Sequence, residues 1–254
     1  RDPDNNHWFG YRPWRLKENV NRNGNLYPGH AIGPMAQMMH INYGDKMDYM
    51  VSVSTNDFTM KDKMKEIAGM DDYFEPYVGL DFRGNMNNSI IRTHKGRTIL
   101  LQHDISSPRP RDRGLVSGSK GFWRGSPDRI ALISKEPERY LPEEETRALI
   151  DQYTPELPRK FAEKKRQAGE HGSRGYERVT ASDWRFIDCL RNGLPVEVDV
   201  YDGALWSAMT PLSEWSVARE GNSVKIPDFT NGAWRTNARG MDIDIKQGGT
   251  TNLV

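Results

Sequence analysis

Two strand-like segments decide the fold of this chain: MNNSIIRTH (residues 86–94) and RTILLQHDI (residues 97–105). Both are rich in β-branched and aliphatic residues, and only Lys95 and Gly96 separate them. A two-residue connection that ends in glycine is typical of a tight hairpin, because glycine readily adopts the positive φ that such turns need. The two segments therefore predict an antiparallel strand pair.

Working outward from this hairpin, the chain shows more strands and then a run of helices. DKMDYMVSVSTN (45–56) alternates with a period of two, which predicts a half-buried strand, and residues 113–125 and 129–134 predict further short strands. Helical patterns begin at Ala31 and recur at residues 60–70, 142–153, 155–169, 182–193 and 200–221. Ser182 is the expected N-cap of the helix over 182–193, and Gly193 and Gly221 are expected C-caps.

Strands grouped in the middle and helices grouped at the end predict an α+β fold. We expect an open, mostly antiparallel sheet with helices packed on one face, in a single domain over residues 1–254. Residues 1–30 read as irregular polar loop, with residues 1–13 as a lead-in, and residues 228–254 read as an extended tail. No strand followed by GxGxxG is found, so this chain predicts no Rossmann domain of its own.

Composition excludes several classes of partner and site. Lys and Arg number 36 against 35 Asp and Glu, so no net charge favours nucleic acid or an anionic membrane. No apolar run is long enough to span a bilayer, and the lone Cys189 permits neither an internal disulfide nor a CxxC metal site. His94 and His103 flank the hairpin and could mimic a two-histidine metal site, but a third ligand is missing, so we expect no metal.

The segment NRNGNLYPGHAIGPMAQ (21–37) holds the two best proton-transfer groups in the first fifth of the chain, Tyr27 and His30. Histidine titrates near neutral pH, and tyrosine can pass a proton or hold a hydroxyl group. Pro28 would stiffen the segment, and Gly29 would let the backbone approach a ligand closely. On composition alone such a segment is more often structural than catalytic.

Several long blocks in one order resemble family 109 glycoside hydrolases, which are NAD-dependent members of the Gfo/Idh/MocA oxidoreductase superfamily. The resemblance touches most of residues 14–234. The blocks are RNGNLYPGHAIGPMAQ, INYGDKMDYMVSVST, IIRTHKGRTILLQHDISSPRP, FIDCLRNGLPVEVDVYDGALWSAMTPLSEWSV and IPDFTNGAW.

The resemblance implies an N-terminal Rossmann domain that binds NAD, followed by an α+β domain whose open sheet covers the substrate. This chain resembles the second part only, so we expect the natural protein to start earlier, and we expect no cofactor-binding residue here. The implied chemistry is redox-neutral: hydride leaves C3 of the sugar for NAD⁺, C1–C2 elimination releases the aglycone, water adds at C1, and hydride returns to C3. The implied substrate class is α-linked N-acetylgalactosamine.

Residue by residue, the family's YPTH substrate motif falls on Tyr27, Pro28, Gly29 and His30, with glycine in place of the threonine. The family's upstream substrate arginine falls on Arg15. The resemblance therefore implies that all five bind substrate and that His30 and Tyr27 carry the acid/base chemistry.

Two departures from the family pattern leave the identity of the sugar open. The family pattern SPRPYSR becomes SPRPRDR, which places Arg111 where a substrate tyrosine stands, and the GHGGMD segment is replaced by the longer stretch over 170–183. An arginine in a substrate site would favour a carboxylate, a sulfate or a densely hydroxylated partner, because its guanidinium is a rigid fork of donors.

Two other functions stay open at this stage. One is a net sugar or cyclitol oxidoreductase of the same superfamily, and the other is a non-catalytic carbohydrate-binding or oligomerisation module. We expect the isolated chain to be inactive without an NAD domain. The resemblance also implies a homo-oligomer formed through the open sheet, and it favours a periplasmic or secreted location over a cytoplasmic one.

Overall fold

The computed structural model describes residues 13–104, 114–125, 127–135, 138–155, 158–163, 166, 180–193 and 195–237. The chain divides into two compact units, one of residues 1–109 with 200–238 and the other of residues 110–199 with 239–254. Each unit is described by itself below, and the single-domain expectation stays a prediction.

The described elements are short strands and helices of moderate length, with most of the strands in the middle of the chain. The strands are β1 Met47–Ser54, β2 Met86–Thr93, β3 Thr98–Asp104, β4 Leu115–Ser117, β5 Gly121–Arg124, β6 Arg129–Leu132 and β7 Val224–Lys225. The α-helices are α1 Pro13–Asn21, α2 Gly29–Met38, α3 Met60–Ala68, α4 Glu143–Tyr153, α5 Ala181–Asn192 and α6 Val200–Val217, and residues 158–163 are also helical. Short 3₁₀ helices cover Asp72–Tyr77 and Ala233–Arg235.

The first unit is built on a four-stranded antiparallel sheet in the order β3-β2-β1-β7. Strands β2 and β3 form the predicted hairpin, and Gly96 in its turn has a φ of +83°. The predicted α+β class with an open antiparallel sheet is therefore confirmed. The second unit adds a separate three-stranded antiparallel sheet, β4-β5-β6.

One face of the four-stranded sheet changes from apolar to polar along the strands. Read across β1, β2 and β3, its successive rows are Met50, Ile91 and Ile99; Ser52, Ser89 and Leu101; and Ser54, Asn87 and His103. Helices α2 and α6 cover this face, and their Ile32, Ala36, Leu205 and Met209 join the apolar end in one buried cluster. The polar end therefore has to be satisfied by hydrogen bonds, because buried polar groups without partners are costly.

A buried carboxylate ties the start of β1 to the hairpin turn. Asp45 is 1% exposed and accepts hydrogen bonds from Arg97 and from the backbone N–H groups of Lys46 and Lys95. Burial alone would raise the pKa of this carboxyl, but these bonds and one from Thr93 hold the pKa below its usual value. Asp45 is thus ionised in the folded protein.

In the second unit, turn chemistry defines the ends of α5. Thr180 and Asp183 form a reciprocal capping box, and Gly193 ends the helix in the left-handed conformation at a φ of 64°. Cys189 on this helix is fully buried. No helix in the described part of the chain is both long and apolar enough to cross a membrane.

The structure corrects several expected boundaries. Residues 13–21 and 29–30, which the sequence analysis assigned to irregular loop, are helical, because proline and glycine are tolerated in a first helical turn. Thr180, not Ser182, is the N-cap of α5. Helix α6 ends at Val217, and Gly221 closes the turn that follows at a φ of +83°. Within the expected extended tail, Ala233–Arg235 is a 3₁₀ turn.

We predict that Asp45→Ala lowers the free energy of unfolding by about 3 kcal/mol, because two backbone N–H groups and Arg97 lose a buried acceptor. Urea unfolding at neutral pH measures the change. Asp48→Ala is the matched control, since Asp48 forms only a 3.3 Å surface pair with Lys225, and it should cost less than about 1 kcal/mol.

The lowered pKa of Asp45 also predicts that its contribution to the free energy of unfolding falls in acid. Its folded pKa lies below the ordinary 3.8, so its contribution is complete above about pH 4 and is lost as the pH falls through the folded value. The difference in stability between wild type and Asp45→Ala should therefore shrink in acid. A difference that stayed constant down to pH 2 would contradict this account.

Candidate functional site

The segment between α1 and α2 is held on helix α6. The guanidinium of Arg22 donates to both carboxylate oxygens of Glu214, from Nε at 2.7 Å and from Nη2 at 2.9 Å. These bonds raise the pKa of Arg22 further above its usual value despite its partial burial. The Asn25 N–H donates to Ser213 Oγ at 2.8 Å, and Gly24 lies so close that a Cβ there would sit 2.7 Å from the same oxygen.

Helix α2 starts at the residues that the sequence analysis singled out. Pro28 occupies the N-cap position with a φ of −74°, and its carbonyl accepts from the N–H groups of Ala31 and Ile32. Tyr27 therefore precedes the helix, and His30 lies in its first turn. The Tyr27 hydroxyl and His30 Nε2 are 2.9 Å apart, and the two rings meet edge to face with centroids 4.9 Å apart.

Arg15 reaches the same pair from helix α1. Its guanidinium carbon lies 4.8 Å from the centroid of the Tyr27 ring, which is a cation–π contact. Tyr27 is 43% exposed and His30 is exposed as well, so neither residue is part of the core. Arg15, Tyr27 and His30, all predicted site residues, thus lie in one chain of contacts in which Tyr27 touches both of the others.

A cavity of about 220 Å³ lies beside this chain of contacts. Its walls are Arg15, Glu18, Asn19, Arg22, Leu26, Tyr27 and His103. This volume lies below the roughly 300–1,000 Å³ of pockets for drug-sized ligands, which suits one sugar ring better than an extended polymer. His30 is not on the wall and connects to the cavity through Tyr27.

His103 lies on the cavity wall, although the sequence analysis considered it only with His94 as half of a two-histidine metal site. It extends the buried alternation Ile99, Leu101 at the end of β3, and this period of two was the available signal. Its Nδ1 lies 2.8 Å from Arg83 Nη1 and 3.3 Å from the Leu26 N–H. Burial, with the nearby positive charges of Arg83 and Arg15, lowers the pKa of this imidazole to about 3.

Arg83 is a buried cation behind that wall. It is 2% exposed, its N–H donates to the Asn19 carbonyl, and its Nε donates to the Gly84 carbonyl at 3.2 Å. Burial lowers the pKa of Arg83 to about 10, and the charge of Glu214 opposes this shift. The guanidinium therefore remains charged at neutral pH.

The remaining predicted features fall elsewhere or outside the described residues. His103 pairs across the sheet with Asn87, whereas His94 packs on the Trp234 ring with centroids 5.0 Å apart, so the two histidines do not face each other. Among the described residues, no cluster of three His, Cys, Asp or Glu side chains could hold a metal ion. Arg111 lies outside the described residues.

Comparison with known proteins assigns this architecture to a family. The profile of the "Glycosyl hydrolase 109, C-terminal domain" matches residues 5–236. The chain belongs to glycosyl hydrolase family 109.

Relatives in this family share about two residues in five with this chain. Family 109 protein 2 of Shewanella sp. (strain ANA-3) is 40% identical over 227 residues, covering 88% of this chain and 48% of the relative. The Solibacter usitatus protein is 41% identical over 228 residues, covering 89% and 50%. The Shewanella woodyi protein is 38% identical over 234 residues, covering 88% and 48%. The chain thus spans about half the length of the curated relatives it matches.

Within this family 109 domain, Gly29 stands where the resemblance implies a threonine. A Cβ built on Gly29 meets no atom within 4 Å, so the helix start has room for a side chain. A Cβ on Gly33, one turn later, would lie 3.1 Å from the Trp206 ring. Packing against Trp206 therefore favours glycine at position 33, whereas no packing contact favours it at position 29.

We predict that Gly29→Ala raises the free energy of unfolding by about 0.5 kcal/mol, because alanine favours the helix and meets no obstacle. Gly33→Ala is the matched variant and should cost about 1–2 kcal/mol, since the Trp206 ring has to shift. Thermal and urea unfolding measure both. Equal effects of the two substitutions would show that the space around Gly29 is not open.

Proposed function

We propose that this chain is the substrate domain of a glycosidase that uses Tyr27 and His30 to move a proton at a sugar hydroxyl. The 2.9 Å contact between the Tyr27 hydroxyl and His30 Nε2, beside a cavity of sugar-ring size, carries the proposal. Membership of family 109 supports the glycosidase class.

The geometry suggests a two-step path for the proton. A sugar hydroxyl in the cavity would donate to the Tyr27 oxygen, while the Tyr27 hydroxyl donates to His30 Nε2. His30 is exposed in the first turn of α2, so it can exchange its proton with solvent. Arg15 over the Tyr27 ring places a positive charge beside negative charge that develops on the phenol oxygen.

We propose that Pro28, Gly29 and Arg111 complete the substrate site, and that the sugar is α-linked, with N-acetylgalactosamine as the reference compound. Pro28 supports this as the buried N-cap that holds Tyr27 beside His30, and Gly29 as an exposed, open position. An arginine at position 111 favours a substituent with several acceptor oxygens.

The described residues do not fit a dinucleotide by themselves, because all of their strand pairs are antiparallel and they contain no βαβ crossover. We propose that NAD is held by sequence outside the described residues. Bound there, it would supply a hydride acceptor and donor for a carbon of the sugar.

We predict that His30→Ala lowers the rate of aglycone release by about 100-fold or more in the full-length natural protein, because the relay loses its terminal base. Tyr27→Phe should lower it similarly, since it removes only the hydroxyl. Release from a p-nitrophenyl α-N-acetylgalactosaminide is measured together with NADH absorbance. His40→Asn is the control, because His40 is exposed just after the same helix and asparagine tolerates its φ of 52°.

Melting temperatures of all three variants should match that of the wild type. Wild-type rates in His30→Ala would remove His30 from the reaction. NADH that accumulates in proportion to substrate consumed would instead indicate a net sugar or cyclitol oxidoreductase. Binding of the sugar without turnover in the full-length protein would indicate a carbohydrate-binding module.

We also propose that the uncovered face of the four-stranded sheet pairs with a second copy of this chain. Its central row, Val51, Ile90 and Leu100, is apolar, and Ile90 and Leu100 are 49% and 62% exposed. Continuous apolar surface of this kind is uncommon on a face that stays in water.

Substitution of this row tests the pairing. We expect Ile90→Lys combined with Leu100→Lys to shift the chain from dimer or higher oligomer to monomer in sedimentation velocity, because two buried charges would face each other across the interface. Met70→Lys, at a 61% exposed position after α3, should leave the oligomer unchanged. A wild-type chain that sediments as a monomer at all concentrations would overturn the proposal.

A further inference from the structure

We propose that Asn19 is a substrate-binding residue whose carboxamide binds two neighbouring hydroxyl groups of one sugar ring, donating to one and accepting from the other. This assignment rests on the proposed function of the cavity, of which Asn19 is a wall residue. It adds a group that recognises the ring and takes no part in moving the proton between Tyr27 and His30.

Helix α1 and the residue after it turn one polar face toward the cavity. Four wall residues come from this segment, at steps of three, one and three along the chain: Arg15, Glu18, Asn19 and Arg22. That spacing places side chains on a single helical face. Leu16 lies on the opposite side of this face and is buried in an apolar cluster, so packing holds α1 while its polar face lines the cavity.

The main chain of Asn19 is held firmly, whereas its side chain is not committed. Asn19 is 4% exposed, and its carbonyl accepts from the Arg83 N–H at 2.8 Å. Across the described ranges of the chain, no protein group forms a hydrogen bond with the carboxamide of Asn19. A buried amide without a protein partner is uncommon and calls for a partner of another kind.

Asn85 shows the ordinary condition of a buried amide in this protein. It is 5% exposed, its Oδ1 accepts from the Phe58 N–H at 2.6 Å, and its Nδ2 donates to two side chains at 3.1 and 3.0 Å. Asn25 Nδ2, by contrast, lacks a partner but is sealed in the interior. The carboxamide of Asn19 is not among such sealed atoms, so a ligand in the cavity can reach it.

Asn19 also differs in chemistry from its neighbours on the same face. A guanidinium only donates and a carboxylate only accepts, whereas a carboxamide does both. Glu18 accepts from Arg22 at 3.1 Å, and Arg22 in turn donates to both carboxylate oxygens of Glu214. Asn19 is therefore the side chain of this face that offers a donor and an acceptor side by side.

Such a group matches two hydroxyls on adjacent ring carbons. Each hydroxyl can donate and accept, so one of them can receive the Nδ2–H while the other donates to Oδ1. In N-acetylgalactosamine the only adjacent pair of hydroxyls is at C3 and C4. A site built to bond these groups rejects analogues that lack one of them, because the amide is then left without its partner.

The first experiment substitutes Asn19 by leucine, which has nearly the same shape and no polar atom. Calorimetry with N-acetylgalactosamine and thermal unfolding are run on the full-length natural protein. We expect Asn19→Leu to bind about 10-fold more weakly. Its melting temperature should stay within about 3 °C of the wild type, because no hydrogen bond inside the described part of the protein is lost.

Asn85→Leu is the matched control for the loss of a buried amide. We expect it to lower the melting temperature by about 5 °C or more, because three hydrogen bonds are lost. Its affinity for the sugar should stay within about 3-fold of the wild type. A melting temperature and an affinity that fell together in Asn19→Leu would show a structural residue and overturn the proposal.

The second experiment identifies the hydroxyls by pairing the variant with altered ligands. Affinities of wild type and Asn19→Leu are compared for the 3-deoxy, 4-deoxy and 6-deoxy forms of N-acetylgalactosamine. We expect removal of the C3 or C4 hydroxyl to cost about 3-fold less in the variant than in the wild type. Removal of the C6 hydroxyl should cost the same in both, and equal costs for all three ligands would contradict the assignment.

The outcomes distinguish this inference from the proposed function. Wild-type affinity in a folded Asn19→Leu contradicts the role of Asn19 and leaves the roles of Tyr27 and His30 intact. Absence of binding by the wild-type protein contradicts the proposed function and the role of Asn19 together. Weaker binding at an unchanged melting temperature, with the loss confined to the C3 and C4 hydroxyls, supports both.

Discussion

The hydrogen bond from the Ser52 N–H to Ser216 Oγ, 2.8 Å long, fixes the position of helix α6 on the four-stranded sheet. Ser216 also donates to the Asn222 carbonyl at 2.8 Å, so the helix end and the following turn are set by one hydroxyl. Small side chains at this contact let the helix approach β1 closely. Glu214 and Ser213, one turn back or less, then hold the segment that leads to Tyr27.

The cavity lies at the polar end of the sheet face that α2 and α6 cover, where α6 also holds the segment leading to Tyr27. A hydrophobic interior needs no particular partner, whereas buried Ser52, Asn87 and Ser89 have to be satisfied by one another. The rows become more polar toward His103, and the last of them meets the residues that carry ionisable groups. Apolar packing holds α2 and α6 on the sheet, and the polar row at the end of the sheet places His103 at the cavity.

Local patterns predicted much of the fold. The hairpin with Gly96, the half-buried β1 and the helix over Met60–Ala68 all follow from short-range periodicity and turn residues. Pro28 and Gly29 were predicted as loop but begin α2, because both residues are common in loops and at helix starts alike. The hydrogen bonds from the Ala31 and Ile32 N–H groups to the Pro28 carbonyl show that this segment is a helix start and not a loop.

The candidate site was predictable in part, for a similar reason. Tyr27 and His30 are three residues apart, so their contact is nearly local, and Arg15 was placed by resemblance. The contact of Arg83 with His103 joins residues 20 apart on different elements, and nothing in either neighbourhood marks it. The charge state of His103 depends on that contact and on burial, neither of which sequence spacing reveals.

The division of the first unit into residues 1–109 and 200–238 has a consequence for how the protein is made. Strand β1 has β7 as its second neighbour, and helix α6 covers the sheet, yet both are encoded after the whole of residues 110–199. A ribosome therefore releases the hairpin long before the elements that bury it. In that interval only α2 can cover Ile91, Ile99 and Leu101, so part of this apolar sheet face stays exposed in the nascent chain until α6 follows.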